Sequence, residues 1–203
     1  MFAPRRTLLP VLVTLAAGAV LGGCAAQAPS LSAAPAPAAV PDSRFASSVA
    51  VDATFGTDGV AVTYDPALVP VGAQAKVTGE TSGTSSVVTL AVTGLLPNRT
   101  YGAHAHQKPC GPAAADSGAH FQHTADPVKP SVDPAFANPV NEVWLDFTTD
   151  AEGAGSVTAT QSEWAFTEQA APRSVVIHAL PTSTEPGKAG TAGDRAGCVS
   201  AEF

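Results

Sequence analysis

The chain has 203 residues, with 10 basic and 17 acidic side chains, a net charge of −7 with histidines neutral, and only three cysteines. That balance excludes a nucleic-acid partner, because binding phosphates needs a basic patch. The length fits one domain with non-domain ends.

The N-terminus reads MFAPRRTLLPVLVTLAAGAVLGGCAAQ. Arg5 and Arg6 precede an apolar stretch, residues 8–20, that is short for a membrane span and typical of a signal peptide. Leu21-Gly22-Gly23-Cys24 is similar to a bacterial lipobox. Residues 1–23 are therefore expected to be a cleaved lipoprotein signal peptide and Cys24 the site of lipidation. The expected location is the outer face of the cell membrane, held by acyl chains rather than a membrane-spanning helix. Cleavage removes Arg5 and Arg6 and no acid, taking the charge from −7 to −9. Residues 24–43 are an Ala/Pro-rich tether with nothing to pack, and the folded domain is expected over 44–203.

Within the domain, helical periodicity is absent and strand signals recur. They fall at 47–55, 59–66, 71–80, 85–95, 99–107, 141–150, 153–166 and 173–180, separated by turns rich in Gly, Pro, Asp and Asn. Short alternating strands at this spacing predict an all-β sandwich or barrel. Residues 107–140 and 181–197 are expected to be long loops, and long loops in a small domain are usually functional. Asn98-Arg99-Thr100 matches a glycosylation sequon, a chance match in a bacterial-type lipoprotein.

With Cys24 assigned to lipid, Cys110 and Cys198 remain. In an oxidising compartment an even pair closes, which would tie the segment after His106 to the C-terminal segment. All five histidines lie beyond residue 100. His104 and His106 sit one residue apart in a predicted strand, on the same face and about 7 Å apart along it. His120 and His123 lie in the first long loop, and His178 ends a strand. Four converging imidazoles suit copper or zinc. A cupin site fails, because Cys110 stands where its Glu belongs. A carbonic-anhydrase-type zinc site leaves a histidine and the cysteine pair unexplained. No nucleophile elbow or phosphate-binding loop is present.

The order Gly102-x-His104-x-His106, Cys110, Gly118-x-His120-Phe121, Val176-Ile177-His178-Ala179 and Gly193-x-Arg195-x-x-Cys198 resembles the Cu,Zn superoxide dismutase family over roughly residues 46–200. The resemblance implies an eight-stranded Greek-key β-barrel or sandwich, immunoglobulin-like in architecture. It implies a copper-dependent oxidoreductase that disproportionates superoxide to dioxygen and hydrogen peroxide. His104, His106 and His178 are then expected as copper ligands. His120 would be a copper ligand that also carries a proton for the product. Cys110–Cys198 would be the disulfide, and Arg195 the cation that attracts and orients the superoxide anion.

The zinc half departs from the family pattern. His123 is the only other histidine of the loop and follows His120 by three residues. Asp126, Asp133, Glu142 and Asp146 fall off the expected spacing. One expectation is a copper-only protein in which Glu142 or Asp146 holds the second nitrogen of His120. The other is an atypical zinc site built from His123 and those carboxylates. The 181–197 loop is poor in charge, which predicts weaker steering. A competing function is a copper-binding, copper-buffering lipoprotein, which would have no use for Arg195.

Overall fold

A computed structural model describes residues 46–203. The expected signal peptide, Cys24, the tether and the predicted domain start at residue 44 lie outside the described residues.

Among the described residues, ten strands form in chain order: β1 (Ala46–Thr54), β2 (Ala61–Thr63), β3 (Gln74–Ser82), β4 (Ser85–Thr93), β5 (Thr100–Tyr101), β6 (Ala103–His106), β7 (Phe147–Thr148), β8 (Gly155–Gln161), β9 (Ser174–His178) and β10 (Arg195–Ser200). A short 3-10 turn covers Ala114–Ser117. Two antiparallel four-stranded sheets run β1-β3-β4-β8 and β2-β10-β9-β6, and β5 pairs with β7. The predicted all-β class therefore holds. The sheets do not close on one another, so the architecture is a sandwich rather than a barrel. Among the described residues, no helix is long and apolar enough to cross a membrane.

The first sheet follows the alternation read from sequence. In β4, Ser86, Val88, Leu90 and Val92 point into the core while their neighbours are half-buried. In β3 the inward set is Ala75, Val77, Gly79 and Thr81. Burying one face and wetting the other sets the register, since a one-residue slip would reverse every side chain. The buried hydroxyls satisfy one another or the backbone: Thr81 Oγ1 lies 3.0 Å from Ser86 Oγ, which also accepts from the Phe166 N–H at 2.9 Å.

The second sheet is buried on both faces through β6 and β9, and nearly so in β10. Ala103, Ala105, Val175 and Ile177 face the core with Val69, Leu90 and Phe166. The opposite face lies beneath the loops, and there the chain carries its polar residues.

β10 was not expected. The expected loop over 181–197 gives way to a strand from Arg195, in a stretch, Arg-Ala-Gly-Cys-Val-Ser, that shows no alternation and only one strong β-former. The strand is central in its sheet and needs small residues there. A Cβ on Gly197 would approach Phe55 Cε1 and Val69 Cγ1 to 3.0 Å each, tighter than an ordinary contact. The predicted 59–66 strand shrinks to β2. The 141–150 strand shrinks to β7, the rest being irregular backbone bridged to β6.

Candidate metal centre

In a strand, successive side chains point to opposite faces. With Ala103 and Ala105 in the core, His104 and His106 are directed to the face beneath the loops. The register pairs His104 with Val176 and His106 with Ser174. His178, at the end of β9, donates its N–H to the Gly102 carbonyl at 2.7 Å, which brings it to the same end of the sheet. The loop after β6 turns back along that strand. Gln107 N–H donates to the Ala119 carbonyl (3.1 Å), and Phe121 N–H to the Ala105 carbonyl (2.9 Å). His120 is thereby bridged to His106.

One potential ligand atom from each of His104, His106, His120 and His178 lies within 4.8 Å of the others. The ring centroids of His104 and His120 are 4.0 Å apart, and those of His106 and His178 are 5.6 Å apart. His104, His106 and His178 are buried. Burial pushes His104 and His106 well below the ordinary imidazole range, and the charge of neighbouring His120 lowers them further. Burial, then His120, lowers His178 to about 4. At neutral pH these three rings carry one proton and one lone pair each.

Carbonyl and carboxylate oxygens only accept, so they decide which nitrogen holds the proton. His106 Nδ1 donates to the Gly118 carbonyl (3.0 Å), His178 Nδ1 to the Gly193 carbonyl (3.3 Å) and His120 Nδ1 to Glu142 Oε2 (2.8 Å). In the neutral form of each ring the lone pair therefore sits on Nε2. The Nε2 atoms of His106 and His178 face one another at 3.4 Å. Two lone pairs at that separation repel unless a cation lies between them. His104 Nδ1 is buried without a hydrogen-bond partner, and an orphaned acceptor inside a protein costs about 1–3 kcal/mol. Neutral imidazoles, converging lone pairs and one orphaned nitrogen fit a bound metal, and an all-imidazole set suits copper.

Glu142 is fully buried and fills both carboxylate oxygens. Oε2 accepts from His120 Nδ1 and from Trp144 Nε1 (2.7 Å), and Oε1 accepts from Gln122 Nε2 (2.8 Å). Of the two carboxylates expected to hold His120, Glu142 does so. Asp146 instead accepts from Thr182 and from the Ala103 N–H. Asp126 and Asp133 are tied to their own loop turns, through the N–H groups of Val128 and Ala135 (2.8 and 2.9 Å). His123 is exposed and lies flat on Trp164, ring centroids 5.0 Å apart at 5°. The expected zinc role of His123 is thus not supported by its placement. Among the described residues, the four-histidine cluster is the one group of three or more metal-binding side chains.

Arg195 pairs directly with His178 across β10 and β9, next to an irregularity between Arg195 and Gly197. Such bulges re-aim side chains. Its Nη1 donates to the Ala114 carbonyl (2.6 Å) and Ser117 Oγ (3.0 Å), and its Nη2 to the Gly118 carbonyl (2.6 Å). Among the described residues, Arg195 makes no ion pair with its neighbour Asp194. Arg195, His178, His120 and Lys129 line one open cavity of about 510 Å³. The expected Cys110–Cys198 disulfide is present, spanning 88 residues. Cys110 N–H also donates to Ser200 Oγ (3.0 Å), so the loop that holds Arg195 is itself fixed to β10.

Sequence reasoning missed Gln122, Trp144 and Thr182. Trp144 carried a usable signal, since it stands two residues from Glu142. Thr182 carried none, because its partners are 36 and 78 residues away.

The family model described as Copper/zinc superoxide dismutase (SODC) matches residues 71–200. Among solved structures, the Cu/Zn superoxide dismutase from Brucella abortus aligns at 18% identity and a TM-score of 0.48, over 78% of this chain and 100% of that one. No curated protein matches. The family match takes in all four clustered histidines, both cysteines of the disulfide and Arg195, and the chain belongs to the copper/zinc superoxide dismutase family of oxidoreductases.

Proposed function

We propose that the protein is an exported, lipid-anchored superoxide dismutase working with copper alone, held by His104, His106, His120 and His178. The observation that carries the copper-only reading is the buried Glu142 carboxylate on His120 Nδ1. A second metal would need that nitrogen, and Trp144 and Gln122 already occupy the far side of the carboxylate. Export is supported by the Arg5-Arg6 and Leu21–Cys24 pattern, and by a disulfide that persists in oxidising compartments.

Copper in the cluster supplies the one-electron acceptor and donor that superoxide disproportionation requires. The chain supplies the rest. Arg195 and Lys129 put positive charge on the cavity, attracting the anion toward His120 and His178. The three acceptors on the Arg195 fork orient its guanidinium before the anion arrives. Glu142 keeps the Nδ1 proton of His120 in place, so Nε2 is the one nitrogen of that ring that can face the metal or, when free of it, exchange a proton with the product.

Protein loaded with copper and zinc together should bind one copper and no zinc per chain and should dismute superoxide. His178→Ala should lose copper and activity together. One zinc per chain would defeat the copper-only reading. Tight copper without activity would favour a copper-buffering lipoprotein. Arg195→Ala should keep its copper while the rate drops on the order of 10-fold and its salt dependence weakens. Unchanged kinetics would remove Arg195 from the site.

A further inference from the structure

Three clustered histidines have a backbone carbonyl or Glu142 on their outer nitrogen. His104 does not. Its Nε2 lies 2.8 Å from Thr182 Oγ1, in the loop after β9. Thr182 Oγ1 in turn lies 2.6 Å from Asp146 Oδ1, and the Thr182 N–H donates to Asp146 Oδ2 at 2.8 Å. Asp146 Oδ1 also accepts from the Ala103 N–H at 3.2 Å, next door to His104.

The protons in this chain can be placed by counting. A carboxylate only accepts, and a hydroxyl has a single proton. The Thr182 proton is therefore given to Asp146, and its oxygen must accept from His104. That makes Nε2 the protonated nitrogen and leaves the lone pair on Nδ1, the buried atom with no partner. His104 is thus turned over relative to the other three, which carry their lone pairs on Nε2. A hydroxyl alone would serve as donor or acceptor; Asp146 makes it an acceptor only.

The loop reaches this position because residue 102 is glycine. A Cβ there would meet the Leu180 carbonyl oxygen at 2.6 Å, Ala192 Cβ at 2.7 Å and Thr182 Oγ1 at 3.0 Å. Leu180 and Ala192 are the paired ends of the excursion that carries Thr182, through the Leu180 N–H to the Ala192 carbonyl (2.8 Å). The loop after β9 therefore rests on the start of β6 with a hydroxyl aimed at His104.

We infer that Thr182 and Asp146 are a positioning pair that fixes the tautomer of His104 and so presents Nδ1 to the metal. This rests on the copper reading above for the identity of the metal, though not for the tautomer. Thr182 touches neither substrate nor metal and acts through His104. An outer partner of a metal-bound histidine is typically worth 10–100-fold in metal affinity.

The test compares Thr182→Val, which keeps the shape and removes the hydroxyl, with Thr182→Ser, which restores it. Nitrogen-15 NMR of chelator-treated protein should show His104 as a single Nε2–H tautomer in the parent and in Thr182→Ser. In Thr182→Val the signal should move toward a mixed population. Copper affinity, measured by competition with a chromophoric chelator, should drop 10–100-fold in Thr182→Val and stay within a few-fold in Thr182→Ser. The Cu(II) EPR hyperfine splitting should change in Thr182→Val alone. A single unchanged tautomer with parent-like affinity in Thr182→Val would overturn the inference. Equal losses in both variants would also overturn it, since packing and not the hydroxyl would then be responsible. If the parent binds no copper at the cluster, the copper reading fails while the NMR comparison still decides the role of the pair.

Discussion

Chelator-stripped protein is expected to lose about 3 kcal/mol of stability between pH 6.5 and pH 4 from His178 alone. Its imidazole is lowered to about 4, first by burial and then by His120, with Arg195 adding to the effect. Above pH 6.5 the ring is neutral in both the folded and unfolded chain, and its contribution does not change. Below 6.5 the unfolded chain takes up a proton that the folded chain refuses, so unfolding is favoured. The loss levels off near pH 4, where the folded ring also titrates. A gap of this size is worth roughly 1.4 kcal/mol per pH unit. His104 and His106 are pushed well below 6.5 in the same direction and extend the loss to lower pH. Copper binds the neutral rings of the folded state, so the loaded protein should resist acid through that window. Urea unfolding at pH 7, 5.5 and 4.5, with and without copper, measures both. A midpoint independent of pH in the stripped protein would contradict the protonation states on which the metal centre is built.

The second large effect belongs to the disulfide. Cys110→Ser with Cys198→Ser should cost about 4–5 kcal/mol, because an 88-residue loop is released in the unfolded chain. Cys198 is fully buried, which adds two poorly matched hydroxyls at the site of the lost bridge. The damage should also reach Arg195. Its three acceptors, Ala114, Ser117 and Gly118, stand on the segment that Cys110 pins. Other ties of that segment are single hydrogen bonds, among them Cys110 N–H to Ser200 Oγ, Tyr64 Oη to the Gly111 carbonyl and His106 Nδ1 to the Gly118 carbonyl. Denaturation of the double variant, with superoxide kinetics below its melting point, separates the two consequences. A loss under 1 kcal/mol would mean these hydrogen bonds suffice and the bridge is redundant.

Much of the site could be read from the chain because its residues are chemically rare and locally patterned. His-x-His in a strand is a one-residue rule, and confinement of every histidine to the second half marked the cluster. The cysteine pair followed from compartment and count. The first sheet was legible for a similar reason, since one face of it is wet. The second sheet was harder. β10 is buried on both sides and built of small residues, so it has no alternation to detect. What Glu142 does could be narrowed to one of two carboxylates but not chosen, because the choice between it and Asp146 is made by the path of irregular backbone. Thr182 was invisible for the same reason, as was the stacking of His123 on Trp164, 41 residues away.

The position of β10 also governs when this domain can assemble. Last among the described strands, β10 is an interior strand of its sheet, flanked by β2 and β9, with Val62 opposite Cys198. Until residues 195–200 have been made, β2 has no neighbour on that side and Cys110 has no thiol to meet. Such distant pairings form slowly, over milliseconds to seconds. A shortened chain ending before residue 195 would lack the middle of a sheet rather than a tail. The histidine cluster and Arg195 therefore come together only once residues 195–200 have joined the sheet.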